Sequence, residues 1–318
     1  MDKDLVGLLE KRSRISSKAV EDASKRLGCV LSSSTFDFMN ETIETEDVKL
    51  DVEGDVFVAS SILTKAECKR ICDALTIHKE MKPMINTKKS YRICDRMQIS
   101  LPEYSKEIFE RLKPVLKRRG VLEITHPESR GYAFSGTWRA VALNTSWRFI
   151  RYKVGGHLAP HIDGSYVENS ETRTMYTVNI YLNDLDKDCG GETVFCASDQ
   201  KLNYDTEEKR YATENIVASV RPSAGSGLIF VQAPFELLHA GVPVRKGIKF
   251  LARTGIMYAR DASTRPQLNE KQQKGMDMLR KAKEAEANGR FGVAMRYYSK
   301  AYKLWPELEK GDGAVAGI

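Results

Sequence analysis

Between about residues 136 and 260, short β-rich runs recur, cut apart by Gly, Asp, Asn and Pro: WRFIRYKV, TMYTVNIYL, ETVFC, GLIFVQ, ELLHAGVPV and IKFLARTGIMY. Many short strands with turn signals between them predict a sandwich or barrel of jelly-roll type. In 175–182, Met175, Thr177, Asn179 and Tyr181 fall on one face of a strand, and Tyr176, Val178, Ile180 and Leu182 on the other. The apolar face is expected under preceding helices and the polar face along a working interior. Upstream, apolar spacing predicts a helix over 1–28 (Leu5, Leu8, Leu9, Ile15, Ala19, Val20, Ala23), and 29–50 reads as a polar connection. VFVAS from Val56 reads as a strand. Thr64 and Glu67 then form the N-cap and third position of a capping box opening a helix. A second helix is expected over 103–118, begun near Pro102 and ended by Gly120.

After Pro266 the strand signals stop. Residues 268–289 and 291–304 read as two helices joined at Asn288–Gly289, the first carrying Met278, Ala282 and Ala285, the second Ala294, Tyr298, Ala301 and Leu304 ahead of Pro306. This spacing resembles one tetratricopeptide repeat over about 275–308. A single repeat cannot bury its own apolar face, so it is expected to dock on the body of the protein, on the N-terminal helix or on a partner. The organisation read from these patterns is 1–50 helix and linker, 51–262 the strand-rich domain, and 266–311 the helical hairpin.

Composition narrows the picture little. The 318 residues are roughly two domains' worth of chain. At 42% hydrophobic and 29% charged they exclude wholesale disorder. No apolar run reaches the ~18 residues of a membrane span. The N-terminus mixes both charge signs without a signal-peptide core, and a cytoplasmic or nuclear protein is expected. A net charge of +7 without a dense basic block permits nucleic acid but does not select it. Six cysteines are too few for a disulfide framework; Cys68 and Cys72, like Cys189 and Cys196, read as buried or free thiols. Trp138 and Trp147 read as core aromatics.

Only five histidines occur, so their placement informs. His161 and Asp163 form an H-x-D pair whose side chains would leave a strand on one face. His239 lies 78 residues further on, beside another strand. Two imidazoles and one carboxylate on one side of an iron are the facial triad of non-haem Fe(II) oxygenases, which leaves three positions open. An isolated H-x-D is weak, and a lone histidine by a strand is more often a core or surface residue. Ten residues beyond His239, after a hairpin expected at Val242–Pro243 and Gly247, Lys249, Leu251 and Arg253 share a strand face. An inward cation there needs an anion. A dicarboxylate co-substrate would supply it; Lys249 reads equally well as an exposed lysine of a basic loop.

The chain resembles the 2-oxoglutarate and Fe(II)-dependent dioxygenases of the prolyl 4-hydroxylase alpha-subunit type. RYKVGGHLAPHIDGSY (151–166), TVNIYLND (177–184), GGETVF (190–195), RPSAGSGLIF (221–230) and HAGVPVRKGIKFLARTGIMY (239–258) carry the resemblance, with VFVASSILTKAECKRI (56–71) matching the opening strand and helix. The resemblance implies an α+β fold: a double-stranded β-helix (jelly-roll) core with supporting N-terminal helices, here followed by the hairpin, which lies outside it. It implies His161, Asp163 and His239 as iron ligands and Lys249 on the distal carboxylate of 2-oxoglutarate, with Arg253 as second candidate. Tyr152, Thr177 and Tyr181 would line the co-substrate pocket. Fe(II), 2-oxoglutarate and O2 follow as cofactor and co-substrates, and ascorbate as a family expectation alone. Leu158 departs from an aromatic common in collagen-type members. Asp163 speaks against a halogenase, which vacates that position for halide.

The implied reaction is hydroxylation of an unactivated C–H bond with decarboxylation of 2-oxoglutarate to succinate. A prolyl or other protein side chain is the default substrate, with a small molecule, lipid or nucleic acid as the alternative. A non-catalytic scaffold acting through 266–311, where a protein partner could bind, is the reading that the intact triad disfavours. Segments 79–91, 132–140 and 196–219 are expected to frame the mouth, the last as a lid or a surface insertion. Arg92 and Arg96 read as pocket arginines or, more commonly, as members of salt bridges.

Overall fold

The computed structural model describes residues 47–309, apart from 51, 53, 78–80, 85–86, 198 and 233–236. The helix expected over 1–28 and most of the 29–50 connection lie outside the described residues. The chain forms two compact units. One holds the described residues up to Arg118 with Ala142–Gly164 and Tyr176–Ile256; the other holds Arg119–Val141, Ser165–Met175 and the described residues from Met257 on.

Eight strands build the barrel: β1 (Ser146–Tyr152), β2 (His157–His161), β3 (Thr172–Tyr181), β4 (Thr193–Cys196), β5 (Ile216–Val220), β6 (Gly227–Val231), β7 (His239–Gly241) and β8 (Lys249–Arg260). In one sheet the order is β6-β3-β8-β1; in the other it is β5-β4-β7-β2. The chain therefore passes repeatedly from sheet to sheet, the winding of a double-stranded β-helix. Each strand run read from the sequence lies within two residues of an observed strand, except that ELLHAGVPV contributes only His239–Gly241. Turn signals mark where a chain reverses but not what it pairs with. The hairpin expected at Val242–Gly247 is in fact a crossover between sheets, because β7 pairs with β4 and β2 whereas β8 pairs with β3 and β1. The 196–219 segment is likewise no structureless lid. Its end is β5, paired with β4, and Tyr204–Asp205 pairs with Arg210–Tyr211.

Two helices pack on the barrel's outer side, as the apolar alternation of β3 requires. In α1 (Lys65–Ile77), the capping box forms as expected: the Thr64 amide donates to Glu67 Oε2 (2.7 Å) and the Glu67 amide to Thr64 Oγ1 (3.1 Å). The Cys72 thiol meets the Leu182 carbonyl at 3.4 Å, and Tyr176, Val178, Ile180 and Leu182 are buried. The second helix, α2 (Pro102–Arg118), buries Tyr104, Ile108, Phe109, Leu112, Val115 and Leu116. Arg111 of α2 donates to both carboxylate oxygens of Glu67, at 2.8 and 3.0 Å, which fixes the helix pair. Trp147 is fully buried and donates to Ser105 Oγ (2.8 Å). Gly225 allows α1 to begin close to the barrel: its φ is +84°, and a Cβ there would lie 2.0 Å from the Leu63 carbonyl oxygen. Among the described residues Cys68, Cys72, Cys94, Cys189 and Cys196 are all free, and no helix is long and apolar enough to cross a membrane.

In the other unit, Glu123–His126 pairs with the start of Gly136–Leu143, and Trp138 is fully buried. There α3 (Glu270–Ala287) and α4 (Phe291–Leu304) form the hairpin, opened by an Asn269–Gln272 capping box. Ala282 and Ala285 pack against a partner face that buries Ala294 and Ala301. Met276 and Leu279, one turn position away from the expected Met278, complete the buried face of α3, while Met278 is half-buried. The hairpin seats within its own unit, where Trp305 meets the Tyr132 ring edge-on at 5.5 Å.

The Glu67–Arg111 pair and the capping box share one carboxylate. Glu67→Ala is expected to destabilise the protein by about 3 kcal/mol, since it strands a half-buried guanidinium and uncaps α1. Urea unfolding of both proteins measures this, and a loss under 1 kcal/mol would deny Glu67 that role.

Candidate metal and co-substrate site

Neighbouring antiparallel strands β2 and β7 set His161 and His239 directly opposite each other. Their rings lie 4.2 Å apart between centroids. Asp163 is not on the strand, as the H-x-D spacing implied. β2 ends at His161, and Asp163 follows in the connection after it, yet its carboxylate still reaches the pair. Asp163 Oδ1 lies 3.4 Å from His161 Nε2, and Oδ2 lies 3.6 Å from His239 Nε2. One ligand atom from each of the three residues falls within 4.8 Å of the other two.

The surroundings orient all three. Each histidine's Nδ1 lies 2.9 Å from the carbonyl two residues before it, Ala159 for His161 and Leu237 for His239. A carbonyl only accepts, so Nδ1 carries a proton and Nε2 is the atom left facing the cluster, the orientation that prepares an imidazole for a metal. Burial, and after it the neighbouring His161, pulls the His239 pKa down to about 4, so this ring is neutral. On Asp163, Oδ2 accepts from Thr177 Oγ1 (2.8 Å) and from Arg253 Nη2 (2.6 Å), and Gln232 Nε2 donates in turn to Thr177 Oγ1 (2.8 Å). Burial alone would raise the Asp163 carboxyl, but the charges and hydrogen bonds around it, the Arg253 guanidinium among them, hold it well below the usual carboxylate range. Two nitrogen lone pairs and a carboxylate crowded together in a buried pocket repel one another unless a cation joins them. Two imidazoles and one carboxylate are a donor set that fits Fe(II).

Lys249 stands further along the same sheet. It is 3% exposed and sits opposite Tyr152 in the β8–β1 register. Its ammonium lies 5.5 Å from the Tyr152 ring centre and 5.4 Å from that of Tyr181, and donates to the Gly191 carbonyl at 2.7 Å. No carboxylate pairs with it among the described residues. Gly191, with φ +80°, lets this carbonyl approach; a Cβ there would lie 2.8 Å from Leu185. The Tyr181 hydroxyl is engaged with Thr193 Oγ1 (2.8 Å). Burial lowers the Lys249 pKa to about 7.

One cavity is lined by His161, Asp163 and His239 together with Lys249, Arg253 and Tyr152. Of the eight residues expected at the site, these six line it. Thr177 and Tyr181 reach it through Asp163, and through Thr193 and the ammonium of Lys249. Arg92 and Arg96, whose commoner fate is a salt bridge, also line the cavity, as do Arg148 and Asn179. Arg148 went unremarked in the sequence although strand parity with Tyr152 places it inward. Gln232, which supports Thr177, carried no sequence signal.

Residues 147–257 match the model of the 2OG-Fe(II) oxygenase superfamily. That family uses Fe(II), 2-oxoglutarate and O2, the metal and co-substrates expected from the sequence. No curated protein matches the chain. Three similar solved structures are the following. The viral collagen prolyl hydroxylase of Paramecium bursaria Chlorella virus-1, as its 2OG complex, is 19% identical over 64% of this chain and 96% of that one (TM-score 0.38). HygX of Streptomyces hygroscopicus, with nickel and 2-oxoglutarate bound, is 15% identical over 67% and 85% (TM-score 0.39). A Trichoplax adhaerens prolyl hydroxylase, in complex with a hypoxia inducible factor peptide fragment, is 15% identical over 79% and 96% (TM-score 0.40).

The depressed Lys249 pKa has a signed consequence. Without ligand, the folded protein releases this proton near pH 7, whereas the unfolded chain keeps it until about pH 10.4. The unfolded state then binds more protons across that window, so stability rises with pH there. Denaturant titrations from pH 7 to 10 are expected to show this rise in wild type and its loss in Lys249→Met; equal slopes would refute a buried, unpaired ammonium.

Proposed function

We propose that the protein is a 2-oxoglutarate- and Fe(II)-dependent dioxygenase that hydroxylates an unactivated C–H bond, its domain spanning 51–262. The observation that carries this reading is the convergence of His161, Asp163 and His239, with each Nδ1 held by a backbone carbonyl and each Nε2 turned to the carboxylate. The reaction balances without side-chain redox chemistry. One oxygen atom of O2 enters the C–H bond as hydroxyl; the other enters succinate as 2-oxoglutarate loses CO2.

When bound, the iron supplies oxygen activation and the co-substrate supplies two of the electrons. The chain's own residues hold and exclude. His161, Asp163 and His239 are the metal ligands in this reading, and Thr177 and Arg253 fix the carboxylate's outer oxygen so that Oδ1 faces inward. Lys249 takes the distal carboxylate of 2-oxoglutarate. Its ammonium has no carboxylate partner among the described residues, is buried and lies between two aromatic faces. Arg253, the second candidate for that anion, is already committed to Asp163 at 2.6 Å. Tyr152 and Tyr181 wall the co-substrate and keep water from it. The prolyl or other protein side chain suggested by the family resemblance is the default substrate, and a small molecule, lipid or nucleic acid the alternative.

Release of labelled CO2 from 1-labelled 2-oxoglutarate, with Fe(II) present or withheld, tests the reading. Wild type is expected to turn over only with iron, and His161→Ala not at all. Lys249→Ala is expected to raise the KM for 2-oxoglutarate at least tenfold, as loss of a charge-assisted bond costs about 1.5–3 kcal/mol. Iron-independent turnover, or full turnover by His161→Ala, would defeat it.

A further inference from the structure

Lys249 is one of five cations on the cavity, which holds a single carboxylate, Asp163. Asp95–Ser100 pairs with β1, and β1 with β8, in registers that set Arg96 beside Ile150 and Leu251, and Arg148 beside Arg253. These residues share one face with Lys249 and Tyr152. The arginine rungs stand about 7 and 14 Å along the strands from Lys249, at two residues per rung. From the other sheet, Arg92 pairs with Leu158 of β2 and turns to the same cavity. Arg92, Arg96 and Arg148 are half-buried, and among the described residues none has a carboxylate partner. The buried Nε of Arg92 and the buried Oδ1 of Asn179 have no hydrogen-bond partner at all.

This is unlike the chain's practice elsewhere. Arg111 meets Glu67 at 2.8 Å, Arg260 meets Glu171 at 3.3 Å, and Arg151 meets Asp95 at 2.7 Å. Arg151 is the most telling, because it leaves the opposite face of the strand that carries Arg148. On the inner face Arg253 meets Asp163, whereas Arg92, Arg96 and Arg148 meet no carboxylate among the described residues. Burial, then the neighbouring arginines, holds the Arg96 and Arg148 pKa values below the ordinary one, a sign of mutual repulsion. A ferrous ion and a 2-oxoglutarate dianion would cancel each other, and Arg253 is taken by Asp163. Besides Lys249, three guanidiniums remain without a carboxylate among the described residues.

We propose that Arg92, Arg96 and Arg148 bind a phosphomonoester group of a small-molecule substrate, which is thereby held beside the metal centre for hydroxylation. The proposal deepens the dioxygenase reading and rests on it. A planar guanidinium fork matches phosphate oxygens, and several forks from two sheets around one cavity suit a compact, multiply charged anion. An extended polyanion would need its cations spread along an outer surface, and here they line the cavity.

The full-length protein, loaded anaerobically with Fe(II) and 2-oxoglutarate, is titrated calorimetrically with glycerol 3-phosphate, with glycerol, a hexaglutamate peptide and an oligothymidylate as comparisons. Saturable one-to-one binding of glycerol 3-phosphate and none of glycerol is expected, weakened at least tenfold in Arg96→Gln/Arg148→Gln. The double lysine variant, which keeps the charge, is expected to recover part of the loss. The wild-type titration decides even if the glutamine variant fails to fold. Binding of 2-oxoglutarate is measured in the same preparation. If 2-oxoglutarate binds and glycerol 3-phosphate does not, the proposal falls and the dioxygenase reading stands. If 2-oxoglutarate does not bind, both fall. Displacement of one 2-oxoglutarate per phosphomonoester would assign the arginines to the co-substrate. Peptide or oligonucleotide binding that glycerol 3-phosphate fails to displace would assign them to a macromolecule. Either overturns the proposal.

Discussion

The pairing of His239 opposite His161 is the constraint on which the rest of the site depends. Two residues 78 apart in sequence meet because β7 lies between β4 and β2 in the smaller sheet. The winding of the barrel makes that neighbourhood, and the register makes it specific. A slip of one residue between the two strands would turn one imidazole to the opposite face from the other. The Asp163 carboxylate then completes the cluster, and its Oδ2 is held by Thr177, which Gln232 supports, and by Arg253. Metal affinity and the integrity of the strand pairing are thus one property seen from two sides.

The larger sheet contributes charge in graded fashion. Its inner face carries Lys249 in the apolar depth between Tyr152 and Tyr181, then arginines further along the same three strands. An ammonium and guanidiniums are not equivalent here. The lysine is buried singly, where burial itself tunes its proton affinity, while the arginines keep their charge and tolerate a half-buried setting. The face therefore offers two kinds of anion station at different depths, with Arg96 on the rung of Ile150 and Leu251 and Arg148 one rung beyond.

Much of this was legible before any coordinates, and what was not has identifiable causes. His161, Asp163, His239 and Lys249 were brought together by the family resemblance, because an isolated H-x-D is weak and Lys249 by spacing alone reads equally well as an exposed lysine. The capping box at Thr64 and Glu67 formed as its spacing implied, because that chemistry is local. What needed more than local information was missed. The turn at Val242–Gly247 signals a reversal, but the choice between hairpin and crossover is made by the whole sheet order. Asp163 left its strand because β2 ends at His161. Arg148 and Arg151 look alike in WRFIRY, and only their parity relative to Tyr152 separates an inward guanidinium from one paired with Asp95. The hairpin's buried face centres on Met276 and Leu279 instead of Met278, since helical periodicity leaves the choice among neighbouring positions to packing.

The most direct test is the anomalous scattering of crystals grown with Fe(II) without oxygen. One ion is expected, bonded at about 2.0–2.2 Å to Nε2 of His161, Nε2 of His239 and an Asp163 oxygen. An ion held by other residues, or none at this cluster at millimolar metal, would contradict the account.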